Sequence, residues 1–462
     1  MKRLFFFCRY YGLKGMAAKI WEKCVIDRKR FRSEGKTEVP YFPSCPDKEL
    51  PAFNREGKPL FIYYLVHYFY PNRQGGTERF VFNMARTQQE KGHRVKVFTL
   101  GTEDCKAYPF SVGDILYRTF LFEGIQMVEF RYRKTPYGLF YKRIDPNDRS
   151  MRLFATHFLK QDCPDIVHCA YPQPMAAFLR VCTEIRIPYV VTLTDFNILC
   201  HYATMVDRQG HFCPGCKQGQ RCAAVCKTNT IPNFSQRYKY ADELLQKAAA
   251  VAVPSEFVAS VVHEEFPEIV PYVIPHGIAP EFSSSRGPIN QVKTFAYVGT
   301  FSELKGIHVL IAAFRRLTGD YTLDLYGTGT ASYERRLKRL AGNDQRIHFC
   351  GSVSFERMPG VYRTHDCIVV PSLWYETYNF VVREAISAGC LVVASRMGAM
   401  PEAIQEGKNG FLFKTGDEDA LLSALECAAH FSGDGFSPRQ PSTMEEARKY
   451  EAIYNWYISK SN

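Results

Sequence analysis

Two carboxylates, Glu376 and Glu384, stand eight residues apart in the run PSLWYETYNFVVREAISAG. An apolar stretch, DCIVVPSLW, leads into the first of them, and LVVAS follows the second as a short buried strand. This pattern predicts strand, loop and helix, with Asn379, Phe380 and Val381 in the first helical turn. A helix start carries unpaired N–H groups and a partial positive charge, so it suits an anionic ligand. Carboxylates on either side of such a turn could hold hydroxyls flanking a phosphate. Spacing alone is equally compatible with two surface glutamates on an ordinary strand–loop–helix unit. Lys305, just before Gly306 in YVGTFSELKGIHVLIAAF, places a cation at the start of another helix, where phosphate is also met. Gly75 and Gly76 open a third helix and would let backbone approach a ligand closely. Most such pairs merely make a turn. His168 and Asp195 end the buried runs DIVHC and PYVVTLTD, at strand ends where open parallel sheets bind ligands. A histidine in that position is as readily structural.

Cysteines form a second cluster. Cys200, Cys213, Cys216, Cys222 and Cys226 fall within 27 residues of a chain with sixteen cysteines in all. Four thiolates, with Cys200, Cys213, Cys222 and Cys226 as the first choice and Cys216 as the fifth candidate, could form a structural zinc site in a loop lacking its own core. His201 and His211 add candidates. A disulfide or plain thiols are the open alternatives, because the spacing is not that of a standard finger or ribbon.

These residues need elements to position them. The segment beginning FIYYLVHYF and running through GGTERFVFNMARTQQEKGHRVKVFTL reads as strand, glycine turn, helix and strand. Such βαβ units imply a parallel sheet. The pattern recurs after residue 289 in VKTFAYVG, YTLDLYGTG, RIHFCGSV and DCIVVPS. With 462 residues, two domains are expected. The expected division is an arm and linker over 1–58, a first Rossmann-like domain over 59–288 with an insertion at 196–230, a second over 289–435, and a terminal helix within 436–462. In that helix Tyr450, Ile453, Tyr454 and Tyr457 share one face.

The net charge of +12 is concentrated at the start. Residues 1–36 contain eleven Lys or Arg and three acids, a net of +8, leaving +4 for the remaining 426 residues. Phe6, Tyr10, Leu13, Ala17, Ile20, Trp21 and Cys24 recur at helical steps among these cations. The arm therefore fits either an anionic membrane surface or a groove on the protein itself. No RNA- or DNA-binding signature accompanies the charge, so nucleic acid is not an expected partner. No apolar run is long enough to cross a bilayer, and LFFF before Arg9 is too short for a signal peptide. A cytoplasmic location, peripheral on the inner membrane face, is expected.

The segments GGTERFVFNMA, DIVHCAYP, VVTLTDF, AVPSEFV, VIPHGI, YVGTFSELKGIHVLIAAF, LDLYGTGT, HFCGSV, PSLWYETYNFVVREAISAG and GAMPEAIQEGKNGFLF follow one another over roughly residues 60–420. In content and order they resemble the retaining glycosyltransferases of family 4. The insertion resembles that of a bacterial branch concerned with surface polysaccharides. The resemblance implies the GT-B fold, two Rossmann-like domains facing a central cleft. It implies transfer of a sugar from a nucleotide-sugar to a lipid-linked glycan acceptor, with no cofactor required for catalysis. Glu376 would hold donor-sugar hydroxyls and Glu384 the ribose. The amides of Asn379, Phe380 and Val381, with Lys305, would hold the diphosphate, and backbone near Val353 would meet the base. Gly75 and Gly76 would approach the donor from the first domain, and Asp195 and His168 would lie near the reacting centre. Two positions depart from the family. Thr300 and Phe301 stand where an arginine is common, and Thr194 stands where a histidine usually precedes the aspartate. A non-catalytic nucleotide-sugar-binding or scaffold protein of the same fold is the alternative compatible with those departures.

Overall fold

The computed structural model describes residues 39–51, 58–71, 75–134, 144–207, 209–226, 228, 231, 233–283, 289–433 and 439–461. The expected basic arm over 1–36 lies outside them. The chain forms two compact units, one running to Pro275 and taking in the chain from Thr443, the other spanning His276–Ser442. This differs from the sequence-based division at 288 and 435. The reason is local: Ile278 N donates to Pro441 O at 2.7 Å, and Ile278 bridges Ser442, so the segment following His276 belongs to the second unit.

The first unit is built on a nine-stranded sheet. Its strands are β1 (Phe61–Val66), β2 (Arg94–Leu100), β3 (Phe110–Val112), β4 (Ile115–Phe122), β5 (Ile125–Tyr132), β6 (Ile166–Cys169), β7 (Tyr189–Thr192), β8 (Ala250–Val253) and β9 (Tyr272–Val273). Their spatial order is β3-β4-β5-β2-β1-β6-β7-β8-β9. Strands β1, β6, β7 and β8 are buried along their whole length, as the apolar runs of a sheet covered on both faces require. The β3–β5 meander was not expected from the sequence. There β4 pairs antiparallel to both neighbours, and β5 joins β2 in parallel. The alternating exposure of β4 dilutes the apolar run that identifies the central strands.

The helix Thr443–Ser461 returns to this unit. Ala447, Tyr450, Ile453 and Tyr454 are fully buried, and they share a core with Tyr64 of β1 and Phe80 of the helix Gly76–Glu90. The i, i+3, i+6, i+7 spacing makes this one face of the helix.

The second unit contains β10 (Thr294–Val298), β11 (Thr322–Tyr326), β12 (Ile347–Gly351), β13 (Cys367–Val370), β14 (Leu391–Ser395) and β15 (Gly410–Phe413). All are parallel, in the order β12-β11-β10-β13-β14-β15. Counted from the unit's first strand, this is the doubly wound order 3-2-1-4-5-6, whose crossovers reverse between β10 and β13. In such sheets ligands bind outside the carboxyl ends of the two strands at the reversal. Among the described residues no helix is long and apolar enough to cross a membrane.

Candidate functional site

The loops at that reversal point carry Lys305 and Glu376. After β10 the chain makes a turn over Glu303–Lys305 and enters the helix Ile307–Arg316 at Gly306. After β13 it runs 371–379 into the helix Phe380–Ser387. Leu373 N donates to Leu304 O at 2.7 Å, stitching the two loops together. Gly306 has φ +68°, and a Cβ there would lie 1.8 Å from Pro371 O. Both its backbone conformation and its space therefore require glycine. Gly306→Ala is expected to cost about 2–4 kcal/mol, combining left-handed strain with overpacking. A lower urea midpoint at unchanged m would show this; an unshifted midpoint would mean the loop yields without cost.

Glu376 is 7% exposed and accepts three hydrogen bonds at Oε1, each 2.7 Å long, from Lys305 Nζ, Ser372 Oγ and Trp374 Nε1. Burial pushes its carboxyl up, but the Lys305 charge and the three donors outweigh burial and hold it below the ordinary carboxylate value. Lys305 also lies over the Trp374 ring, 5.2 Å from its centroid. Thus a fixed carboxylate and a cation meet at the reversal point of the sheet.

Asn379 sits in the left-handed region, φ 63°, and its Oδ1 accepts from Val382 N at 3.1 Å. This cap satisfies one helix donor and leaves the amides of the first turn, at Phe380 and Val381, at the helix start. Arg383, buried, fixes the turn from behind. Its guanidinium donates to the carbonyls of Tyr378 and Ala399, and it lies 3.8 Å from the Tyr378 ring centroid. His276 stacks on Phe380, with centroids 5.4 Å apart and planes at 5°. Glu384 is 1% exposed, and its Oε2 accepts from the Tyr362 hydroxyl at 2.9 Å. It lies inside the helix–sheet packing, one turn and a residue beyond the helix start. Val353 lines a cavity of about 450 Å³ with Tyr326, Arg357 and Val361. Thr300 is exposed, while Phe301 is buried against Tyr297.

In the first unit, the strand ends of β1, β6 and β7 gather a different set. Gly75 is the N-cap of Gly76–Glu90, and a Cβ at Gly75 would lie 2.5 Å from Glu78 Oε2, so the glutamate folds back over the helix start. Thr77 and Thr194 hydroxyls bond at 2.6 Å, and Thr194 Oγ1 donates to Ala170 O at 3.3 Å. His67 Nε2 lies 3.5 Å from Glu78 Oε1, and its ring stacks on Tyr171 at 3.7 Å. Asp195 accepts from Asn197 N at 2.8 Å. Burial raises the Asp195 carboxyl to about 7; the Asn197 amide opposes this and the Glu78 charge adds to it.

His168 does not join this set. It is fully buried, with Nδ1 2.5 Å from the Tyr454 hydroxyl and Nε2 2.7 Å from the Thr192 hydroxyl. Its catalytic assignment is therefore corrected to a structural one, a polar link between β6, β7 and the terminal helix. The partner lies 286 residues away, beyond any local pattern. Conversely, sequence reasoning missed His67, Glu78, Ser372, Trp374 and Arg383. Glu78 had a signal, since a glutamate three residues after an N-cap reaches back to the helix start.

Comparison with known proteins follows the same division. The family model described as glycosyl transferases group 1 matches residues 292–430, and that described as glycosyltransferase family 4 matches residues 74–282. The lipopolysaccharide 1,2-N-acetylglucosaminetransferase of Salmonella typhimurium is 28% identical over 210 residues, covering 40% of this chain and 54% of that one. The match thus spans about half the length of that relative. An uncharacterized glycosyltransferase of Methanocaldococcus jannaschii is 24% identical over 379 residues, covering 78% and 87% of the two chains. Among solved structures, Anabaena HepE with UDP and glucose has a TM-score of 0.60 at 17% identity, covering 86% of this chain and 99% of that one. A Rickettsia africae glycosyltransferase has a TM-score of 0.58 at 19% identity, with 87% and 97% covered.

Proposed function

Because the chain belongs to the family 4 type of glycosyltransferases and has their GT-B fold, we propose that it transfers a sugar, with retention of configuration, from a nucleotide-sugar to a lipid-linked glycan in surface-polysaccharide synthesis. The observation that carries this reading is the Lys305–Glu376 pair beside the Asn379-capped helix start, at the reversal point of the second sheet. Leaving of a nucleoside diphosphate builds negative charge on phosphate and positive charge on the anomeric carbon. Lys305 and the amides of Phe380 and Val381 stabilise the first. Glu376, kept ionised by its three donors, holds donor-sugar hydroxyls. Glu384, oriented by Tyr362, serves the ribose hydroxyls, and the cavity beside Val353 takes the base.

In the first unit, Glu78 and Asp195 lie at the carboxyl end of the sheet, and we assign them to acceptor hydroxyls. Gly75 and Gly76 supply backbone approach there. On the retaining reading, the departing phosphate oxygen takes the acceptor's proton, and the acceptor oxygen joins the carbon on the same face. The basic residues 1–36 bring the enzyme to an anionic membrane, on its cytoplasmic side.

A transfer assay tests this. The full chain, a panel of nucleotide-sugars and lipid-linked glycans in anionic vesicles should give one donor-dependent product whose new linkage keeps the donor's anomeric configuration. Removing residues 1–36 should lower transfer to the vesicle-borne acceptor without lowering donor hydrolysis. An inverted linkage would refute retention, and no turnover of any donor would refute the enzymatic reading. HepE, a structural neighbour, was solved with UDP and glucose, which supports a nucleotide-sugar donor here.

A further inference from the structure

The insertion after Asp195 encloses its cysteines. Cys200, His201, Cys213, Cys216, Cys222 and Cys226 line one cavity of about 10 Å³, room for a single small sphere. Cys213, Cys216, Cys222 and Cys226 are buried, and the described cysteines are free thiols.

Five thiols exceed the four places of a tetrahedral site, and the structure distinguishes one of them. Cys216 Sγ donates to Glu265 Oε2 at 2.9 Å. A thiolate in that position would face a carboxylate, so Cys216 is kept as a protonated donor. Cys213 is bonded differently, to the neutral Gly215 carbonyl at 3.2 Å, which imposes no such cost.

A second observation comes from the charge around the cavity. Arg237 is 7% exposed, and its guanidinium donates to carbonyl oxygens of Asn197, Ile198 and Leu199 and to Gln173 Oε1. None of these acceptors is charged, and the buried Arg237 Nε has no acceptor. A buried cation without a counter-ion is costly. The groups that interact with its charge include Cys200, Cys222, Cys216 and Tyr171. Arg221 approaches the cluster at Cys213. A divalent metal with four thiolates carries two negative charges; Arg237 offsets one of them, while Arg221 is already paired with Asp207 at 3.5 Å.

We infer that the insertion is a structural zinc site with Cys200, Cys213, Cys222 and Cys226 as ligands, Cys216 excluded by Glu265, and Arg237 as the buried counter-ion. Binding releases four thiol protons as four sulfur–metal bonds form. Among the described residues no group of three or more His, Cys, Asp or Glu side chains is arranged to hold a metal ion, so the thiols lining the cavity would have to turn toward one another on binding. Arg237 bonds the carbonyls of residues 197–199, immediately after Asp195. The metal would thereby brace the loop carrying that carboxylate. This inference does not depend on the transfer reaction.

Metal analysis of the purified full chain tests it. One zinc per chain is expected, released by a thiol-blocking reagent, with cobalt substitution giving sulfur-to-metal charge-transfer absorption. Cys222→Ser should lose the metal and Cys216→Ser should keep it. Should Cys222→Ser fail to fold, the cobalt spectrum of the unsubstituted chain decides. A chain that carries no zinc and shows no such absorption, equal loss in both variants, or a disulfide within the cluster by mass would overturn the assignment.

Discussion

Replacing Glu376 with glutamine is expected to lower kcat/KM for sugar transfer by about 100-fold or more, on the order of 3 kcal/mol. Glutamine keeps the shape but loses the charge, and turns an N–H₂ toward groups that are themselves donors. Lys305, Ser372 and Trp374 all direct hydrogens at the same oxygen of Glu376. One retained carbonyl cannot satisfy the cation as a carboxylate does. Lys305 then loses the partner that fixes it beside the helix start, so phosphate stabilisation should fall together with sugar binding. The stability signature is separate. Because the Glu376 carboxyl is held below its ordinary value in the fold, its contribution is present above that value and lost as pH falls through the lowered one. The variant should lack this acid limb in its urea midpoints. Full activity in the variant, measured with the donor that the unsubstituted chain turns over, would remove Glu376 from the mechanism.

Asp195→Asn is the second large effect, a loss of about 100-fold expected from misplacement of an acceptor hydroxyl. Here pH offers a sharper signature than the magnitude. With its carboxyl raised to about 7, Asp195 becomes an ionised acceptor only near neutrality. Activity should therefore rise with pH through about 7. Stability should run the other way: the folded chain binds this proton more tightly than the unfolded chain, so the contribution is full below the ordinary value of 3.8 and lost as pH rises through about 7. Asparagine should flatten both profiles. An unchanged activity limb in the variant would assign the titration to another group, with Glu78 and His67 as the neighbours to examine.

These two residues also show how far the sequence could be read. Glu376 and Lys305 are separated by 71 positions, yet each could be found because it stood next to a strand end and a helix start. The parallel sheets were legible for the same reason, since β1, β6 and β13 are continuous apolar runs ending in polar residues. What that reasoning could not supply was the side-chain direction. His168 lies within β6 and turns under the terminal helix toward Tyr454, whereas Asp195 stands in the loop beyond β7. Nor could it supply partners that act through packing. Arg383 looks like a helix-surface cation until its guanidinium is found beneath the 378 and 399 carbonyls. The same limit applies to the cysteines. The sequence ranks Cys216 as the fifth candidate, but the physical ground proposed for leaving it out is Glu265, a residue 49 positions from Cys216.

The most direct test of the central claim is the melting temperature of the chain against a panel of nucleoside diphosphate sugars. A donor at 100 times its Kd should stabilise the protein by about 2.7 kcal/mol. The account predicts that one nucleotide-sugar raises the melting temperature of the unsubstituted chain and that Lys305→Met and Glu376→Gln lose most of that rise. It would be contradicted if no nucleotide-sugar produced a shift, or if both variants kept it in full.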